Sequence, residues 1–312
     1  MKAEELRIIF LGTPDFAVTS LDALVQAGMQ VVAVVTAPDK PSGRGLQASP
    51  SAVKKYAVEK NIPILQPEKL KDADFIEALR SYRADIQVVV AFRMLPEIIW
   101  NMPQLGTINV HGSLLPQYRG AAPIHRAVMN GENQTGVTTF RLQHAIDTGG
   151  ILLQASIPIG ENDSTGTIYQ KLSELGAEVL VKTIRGIAAG ELQEQPQEAL
   201  IHGTLHSAPK IFTEDCIIHW NQPAQVIHNQ IRGLSPSPGA LTQLNGKTLK
   251  IYSAQPIVKT HAVAPGTIDS DGKNQLLFAT NDGWIAVQEL QLEGKKRMTT
   301  PEFLRGYRIE SI

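Results

Sequence analysis

The sequence predicts an α/β protein, an open and mostly parallel sheet covered by helices, followed by a smaller domain built almost wholly of strands. Three observations carry this reading. Through the first half, short apolar runs alternate with stretches of helical spacing, as a parallel sheet with crossover helices requires. Beyond residue 208 the style changes to strands punctuated by turn dipeptides. A chain of 312 residues also exceeds the usual single-domain size of about 100–200 residues.

Taken in order, LRIIFLG at 6–12 reads as a strand, and 16–28 as a helix closed by Gly28. A strand at 30–36, a helix at 51–61, a short strand at 62–65, a helix at 72–82 and a strand at 85–92 repeat the pattern. Residues 36–50, TAPDKPSGRGLQASP, hold three prolines and two glycines with almost no periodicity, which predicts a long exposed loop. From Thr135 onward, 135–142 and 151–159 read as strands around the insert QHAIDTGG, and 164–190 as a long helix with a Ser/Thr start. The expected organisation is a first domain at 1–190, a linker at 191–208 where periodicity is lost, and a second domain at 209–312.

In that second domain PAQVIHNQIRGL reads as one short helix, with Pro223 placed for its first turn. Asn245-Gly246, Asp271-Gly272 and Asp282-Gly283 are hairpin signals. Three of them so close together predict a small β-barrel, for which an oligonucleotide-binding (OB-like) barrel is one candidate.

Composition narrows the classes of function. Hydrophobic residues at 43% and charged residues at 19% are globular usage, unlike the charged, apolar-poor balance of a disordered chain. Cys216 is the only cysteine, which excludes an intrachain disulfide and a cysteine-rich zinc cluster and fits a reducing cytoplasm. The opening MKAEELRIIFLG is unlike a signal peptide, and no stretch approaches the roughly 18 apolar residues of a membrane span. We therefore expect a cytoplasmic protein without a membrane partner. A net charge of −1 argues against gripping nucleic acid mainly by neutralising phosphates.

Few residues could carry chemistry. Gly12 and GTPDF invite a dinucleotide reading, but the second and third glycines of that fingerprint are missing, so Gly12 reads as a strand-to-helix turn. Asn109 and His111, two apart at the end of an apolar strand, share one face. An amide donor beside an imidazole could stabilise an oxyanion and move a proton near neutral pH, which suits acyl transfer; a histidine merely hydrogen-bonded in place is the other reading. SLLPQYRG, from Ser113, adds a proline-fixed turn, and the GAAP that follows adds small residues where a ligand could come close. Asp147 in HAIDTGG could reach back to this site or simply form a turn.

Together, NVH at 109–111, SLLPQYRG at 113–120 and IDTG at 146–149 resemble the folate-dependent formyltransferases, which share these segments in this order. FLGTPDFAV at 10–18, GRG at 43–45, RGAAPIHRA at 119–127, IRGLSPSPGA and GKKRM resemble the methionyl-tRNA branch, extending the likeness over nearly the entire chain. The resemblance implies a Rossmann-like formyltransferase domain followed by an OB-like barrel. It implies transfer from 10-formyltetrahydrofolate to the amino group of methionyl initiator tRNA, with no metal and a monomer as the expected state.

By that resemblance Asn109, His111 and Asp147 are the catalytic trio, and folate lies along Ser113, Leu114, Leu115 and Pro116 with the AFRMLP segment, including Phe92, as another wall. Arg44 looks like the arginine that senses the acceptor end, and Lys295, Lys296 and Arg297 form the basic cluster expected at tRNA phosphates. Two departures stand out. Many relatives carry Tyr-Gly where Phe92-Arg93 stand here, and lysines after GRG where Leu46 and Gln47 stand here. A formyltransferase acting on a small amine and a non-catalytic tRNA-binding module are the competing readings. The second domain speaks against the former, and the assembled NVH, SLLP and IDTG segments against the latter.

Overall fold

Strand β1 (Arg7–Gly12) is buried at every position after Arg7, and β6 (Ile86–Val90) is buried throughout. Such continuous burial belongs to the centre of a parallel sheet covered on both faces. The computed structural model describes residues 2–42, 47–201 and 203–309.

The strands in chain order begin β1, β2 (Gln30–Val35), β3 (Lys40–Ser42), β4 (Gln47–Ser49) and β5 (Ile64–Leu65). They continue with β6, β7 (Thr107–His111), β8 (Arg119–Gly120), β9 (Gln134–Arg141) and β10 (Ile151–Pro158). Seven of them form one sheet in the order β10-β9-β7-β6-β1-β2-β5. β1 pairs in parallel with β2 and β6, and β6 with β7, while β9 runs antiparallel to β7. The predicted Rossmann-like, mostly parallel sheet is thus the one observed.

Helices α1 (Asp15–Gln26), α2 (Ala52–Glu59) and α3 (Ala73–Ser81) stand where helical spacing places them. Side chains start two of them: Ser51 accepts from Lys54 N, and Asp72 from Asp74 N and Phe75 N. The long helix α6 (Thr165–Ala189) follows β10, and Thr183 on it meets Thr139 of β9 hydroxyl to hydroxyl at 2.8 Å. Ile9, Leu11, Ala33, Val35, Phe75 and Leu79 form a core between sheet and helices.

The expected loop at 36–50 is corrected in part. β3 and β4 pair antiparallel within it, because local pairing satisfies backbone groups that side-chain periodicity cannot reveal. The short helices α4 (Glu97–Trp100) and α5 (Pro123–Met129) lie in stretches too brief for a periodic signal.

Two compact units emerge, each discontinuous in sequence. The first comprises Met1–Gly120, Thr135–Ile157 and Tyr169–Ser207, and the second Ala121–Gln134, Pro158–Ile168 and Ala208–Ile312. Later elements are β11 (Ser207–Ala208), α7 (Thr213–Cys216), α8 (Ala224–Gly233), β12 (Ala240–Leu244), β13 (Lys247–Ile257), β14 (Ile268–Ser270), β15 (Leu276–Ala279), β16 (Trp284–Leu292), β17 (Met298–Thr299) and α9 (Thr300–Gly306).

β12-β13-β16-β15-β14 form the antiparallel half-barrel wall of the second unit, with β17 on β16. All three turn dipeptides lie between paired strands. Asn245 and Gly246 both have positive φ, 48° and 71°, and join β12 to β13 with Leu244 opposite Lys247, as a type I′ turn requires. Pro223 caps α8 rather than occupying its first turn. The core runs from Ile227 and Ile231 of α8 to Leu249, Phe278 and Leu290 of the sheet. α5 belongs to this unit: Gly233 of α8 lies so near Met129 that an added Cβ would come within 2.4 Å of the methionine side chain.

Candidate functional site

The parallel strands bring their carboxyl ends to one edge: Gly12 is in register with Val90, and Val90 with Val110. β1 lies between β2 and β6, so the chain winds away from it in both directions. The carboxyl edge at such a reversal opens a crevice where ligands of open α/β sheets bind. Gly12 has no room for a side chain there, because a Cβ would fall 2.7 Å from Ala17 Cβ and 3.1 Å from the Val90 carbonyl oxygen. Close strand–helix packing thus explains Gly12 without any phosphate.

His111 ends β7 and is 7% exposed. Its Nε2 lies 2.9 Å from the Tyr118 carbonyl oxygen. A carbonyl can only accept, so Nε2 carries the proton in either charge state, and Nδ1 is the nitrogen that exchanges one. Nδ1 faces Asp147 Oδ2 at 3.8 Å, an ionic contact when the ring is charged and too long for a hydrogen bond. That oxygen instead accepts from the Gly120 N–H at 2.9 Å. Asp147 holds the left-handed φ of 53°, which aspartate tolerates better than most residues.

Asn109, two residues before His111, is half-buried on the same face, and its side-chain amide makes no hydrogen bond among the described residues. The structure therefore brings together His111, Asp147 and the Gly120 amide, with an uncommitted amide donor on the same strand face. Such a set can offer a donor to a developing oxyanion and an acceptor to a departing proton.

The loop after β7 is braced from below. Thr138, in register with His111 on β9, accepts from Leu115 N at 3.0 Å and donates to the Ser113 carbonyl at 2.7 Å. Gln154 donates to the Leu115 carbonyl at 2.8 Å, and the Ser113 hydroxyl to the Gln117 carbonyl at 2.6 Å. Ser113, Leu115 and Pro116 are buried and Leu114 half-buried, so this loop is a rigid wall beside His111. Phe92 follows β6 at the same edge, half-buried against the core, with the Arg93 guanidinium 5.6 Å from its ring centroid. Arg93 also donates to the carbonyls of Glu68 and Pro67, so its charge is turned toward the backbone.

Arg44 lies outside the described residues. Lys295, Lys296 and Arg297 lie just past β16 in the second unit. All three are exposed, and Arg297 alone is also paired with Glu289 and lies 4.3 Å from the Tyr252 ring centroid. Sequence reasoning missed Thr138, Gln154 and Gln197, and marked Gly120 only as a small residue where a ligand could come close. Each acts through backbone atoms or through one amide or hydroxyl, and no spacing rule marks such roles.

Residues 6–184 match the family description Formyl transferase, and residues 210–308 match Formyl transferase, C-terminal domain. The methionyl-tRNA formyltransferase of Bacteroides fragilis is 51% identical over 315 residues, covering 99% of this chain and 97% of the relative. That of Porphyromonas gingivalis W83 is 51% identical over 319 residues, covering 100% and 98%. Among solved structures, HypX from Aquifex aeolicus in complex with tetrahydrofolic acid superposes with TM-score 0.66 at 19% identity, covering 98% of this chain. The chain spans 49% of the HypX chain. WlaRD, a sugar 3N-formyl transferase crystallised in the presence of dTDP and 5-N-formyl-THF, superposes with TM-score 0.65 at 22% identity, covering 93% of this chain and 99% of its own. At these identities the two structures speak for the fold.

Proposed function

The chain belongs to the formyl transferase family, matched over residues 6–184 and 210–308, and on that premise we propose Asn109, His111 and Asp147 as its reacting centre. The reaction is transfer of the formyl group of 10-formyltetrahydrofolate to the α-amino group of methionyl initiator tRNA, giving the N-formylmethionyl-tRNA used to initiate translation. The observation that carries this substrate is coverage. The alignment to relatives so named, about half identical overall, spans nearly the whole of this chain rather than ending with the first unit. No helix among the described residues is long and apolar enough to cross a membrane.

The chemistry follows from charge development. The methionine amine attacks in its neutral form, available in part near pH 7 because an α-amino group titrates near about pH 8. A bond forms between its nitrogen and the formyl carbon, and negative charge grows on the formyl oxygen. The free amide of Asn109 donates to that oxygen, together with Nδ1–H of protonated His111. Collapse then breaks the bond from the formyl carbon to N10, and the proton shed by the amine ends on N10. Asp147, with Oδ2 fixed by Gly120, supports the charged imidazole and presents its other oxygen to a relaying water.

The folate co-substrate lies along Ser113, Leu114, Leu115 and Pro116, with Phe92 in another wall. Arg44 reads the acceptor end of the tRNA, and Lys295 and Lys296 meet phosphates with a smaller share from Arg297. Replacing Arg44 with Leu lowers use of charged tRNA and spares folate binding; equal activity would remove Arg44 from this role.

The deciding experiment is formyl transfer to methionyl initiator tRNA beside uncharged tRNA, free methionine and glycinamide ribonucleotide, with His111→Ala as control. Only charged tRNA reacts, and the control abolishes it. Transfer to the small amine alone would refute the tRNA substrate.

A further inference from the structure

Residues 191–208 have no periodicity, yet within them Gln197 is wholly buried, at 0% exposure. Its Oε1 accepts from Arg119 Nε at 3.0 Å and Nη2 at 2.7 Å. Its Nε2 donates to the Asp147 carbonyl at 2.9 Å and the Gly149 carbonyl at 2.8 Å. One amide thus uses both lone pairs and both N–H groups. The segment leading to it is fastened as well. Gln195 and Ile151 exchange two backbone hydrogen bonds of 2.9 Å, and Glu194 pairs with Arg141 at 2.5 Å.

Asp147 is therefore held at both ends. Its carboxylate is gripped by Gly120 and its carbonyl by Gln197, and the two grips are joined because Arg119, which Gln197 holds, precedes Gly120 in the chain. A φ of 53° is uncommon for a non-glycine residue even though aspartate tolerates it, and here both ends of the residue are hydrogen-bonded in that conformation. A one-ångström displacement of a reacting group can cost about a hundredfold in rate.

Resting on the reading of Asp147 above, we propose that Gln197 is a positioning residue of the reaction, locking the turn at 147–149 to Arg119 so that the Asp147 carboxylate stays between Gly120 N and His111. A purely structural glutamine would support the fold alone, and its loss would multiply with the loss of Asp147. A positioning glutamine acts through Asp147, so its loss matters only while that carboxylate is present.

The test is a double-mutant cycle in the full chain, reading kcat and KM for both substrates for Gln197→Glu, Asp147→Asn and the double variant. Gln197→Glu keeps an acceptor for Arg119 and replaces the two donors with an oxygen facing two carbonyls. The expected result is a fall in kcat of about tenfold or more with KM changed by less than about threefold, and a double variant no slower than Asp147→Asn within about twofold. Unchanged kcat in Gln197→Glu, or effects that multiply in the double variant, overturns the proposal. Unchanged kcat in Asp147→Asn overturns the role of Asp147 and this inference with it, whereas loss there beside multiplying effects overturns this inference alone. Should Gln197→Glu fail to fold, Arg119→Gln breaks the lock from its half-buried end; the same coupling with Asp147→Asn supports the proposal and full multiplication overturns it.

Discussion

Asp147 is anchored to the backbone of Gly120, not to the ring of His111: Oδ2 lies 2.9 Å from the Gly120 nitrogen and 3.8 Å from His111 Nδ1. The hydrogen bond that fixes this carboxylate thus comes from the backbone, and its contact with the ring is ionic in kind and longer.

Asp147→Asn separates charge from placement. The asparagine oxygen can still accept from Gly120, and asparagine tolerates a positive φ, so the thermal midpoint should stay near that of the parent. The rate should fall about a hundredfold or more, the range for a group that takes part in proton transfer. Single-turnover formylation with both substrates saturating checks it, and a loss below tenfold would remove the carboxylate charge from the chemistry.

Asn109→Ala tests the oxyanion donor. Because that amide holds no other group among the described residues, its removal should leave folding intact while costing roughly 3–4 kcal/mol of barrier, about a hundredfold or more in kcat. A stability scan beside the kinetics distinguishes this from a packing defect, and a mild rate loss in a fully folded variant would contradict the role.

The stability of the chain should depend on pH through His228, which is 4% exposed on α8. Burial, and next the charge of Arg232, hold its imidazole below the ordinary value of 6.5. The unfolded chain therefore takes up this proton first. Its contribution is intact above about pH 6.5 and is lost as pH falls through the lower folded value. Burial lowers His125 in the same sense. Urea midpoints measured from about pH 7.5 down to 5.5 should fall, and fall less steeply in His228→Gln; parallel curves would refute the assignment.

Lys295→Gln with Lys296→Gln should weaken tRNA binding and flatten its salt dependence, by up to about 0.9 in log–log slope for each phosphate that is no longer neutralised. Arg297→Gln should flatten it less, because its guanidinium is already committed to Glu289 and Tyr252. An unchanged slope in the lysine pair would place the phosphate-binding cations elsewhere.

Much of this protein was legible in its sequence, for reasons of period and turn chemistry. β1, β6 and α3 announce themselves because burial on two faces or one stripe leaves a repeating apolar mark, and Asn245-Gly246 because few residues tolerate two positive φ angles in succession. Asn109 and His111 were readable as a pair through the two-residue period of β7. Asp147 was readable either as a turn former or as a carboxylate reaching back to that pair, and only the order of the motifs, compared with a family, chose between them. Gln197 and Thr138 were not readable at all, since a buried polar side chain shows its purpose only through partners distant in sequence. The pairing of β3 with β4 was hidden for a related reason, being made by backbone groups that every residue shares.

The interleaving of the second unit matters to the chain as it is made. α5 ends at Met129, and α8, whose Gly233 lies against that methionine, begins at Ala224. A ribosome adding about 5–20 residues each second leaves α5 waiting roughly 5–20 s for its partner. Its apolar side must be sheltered, or tolerated by the nascent chain, until the C-terminal stretch emerges. No single cut divides the polypeptide into two self-sufficient halves, and translation must run nearly to its end before the second unit can close.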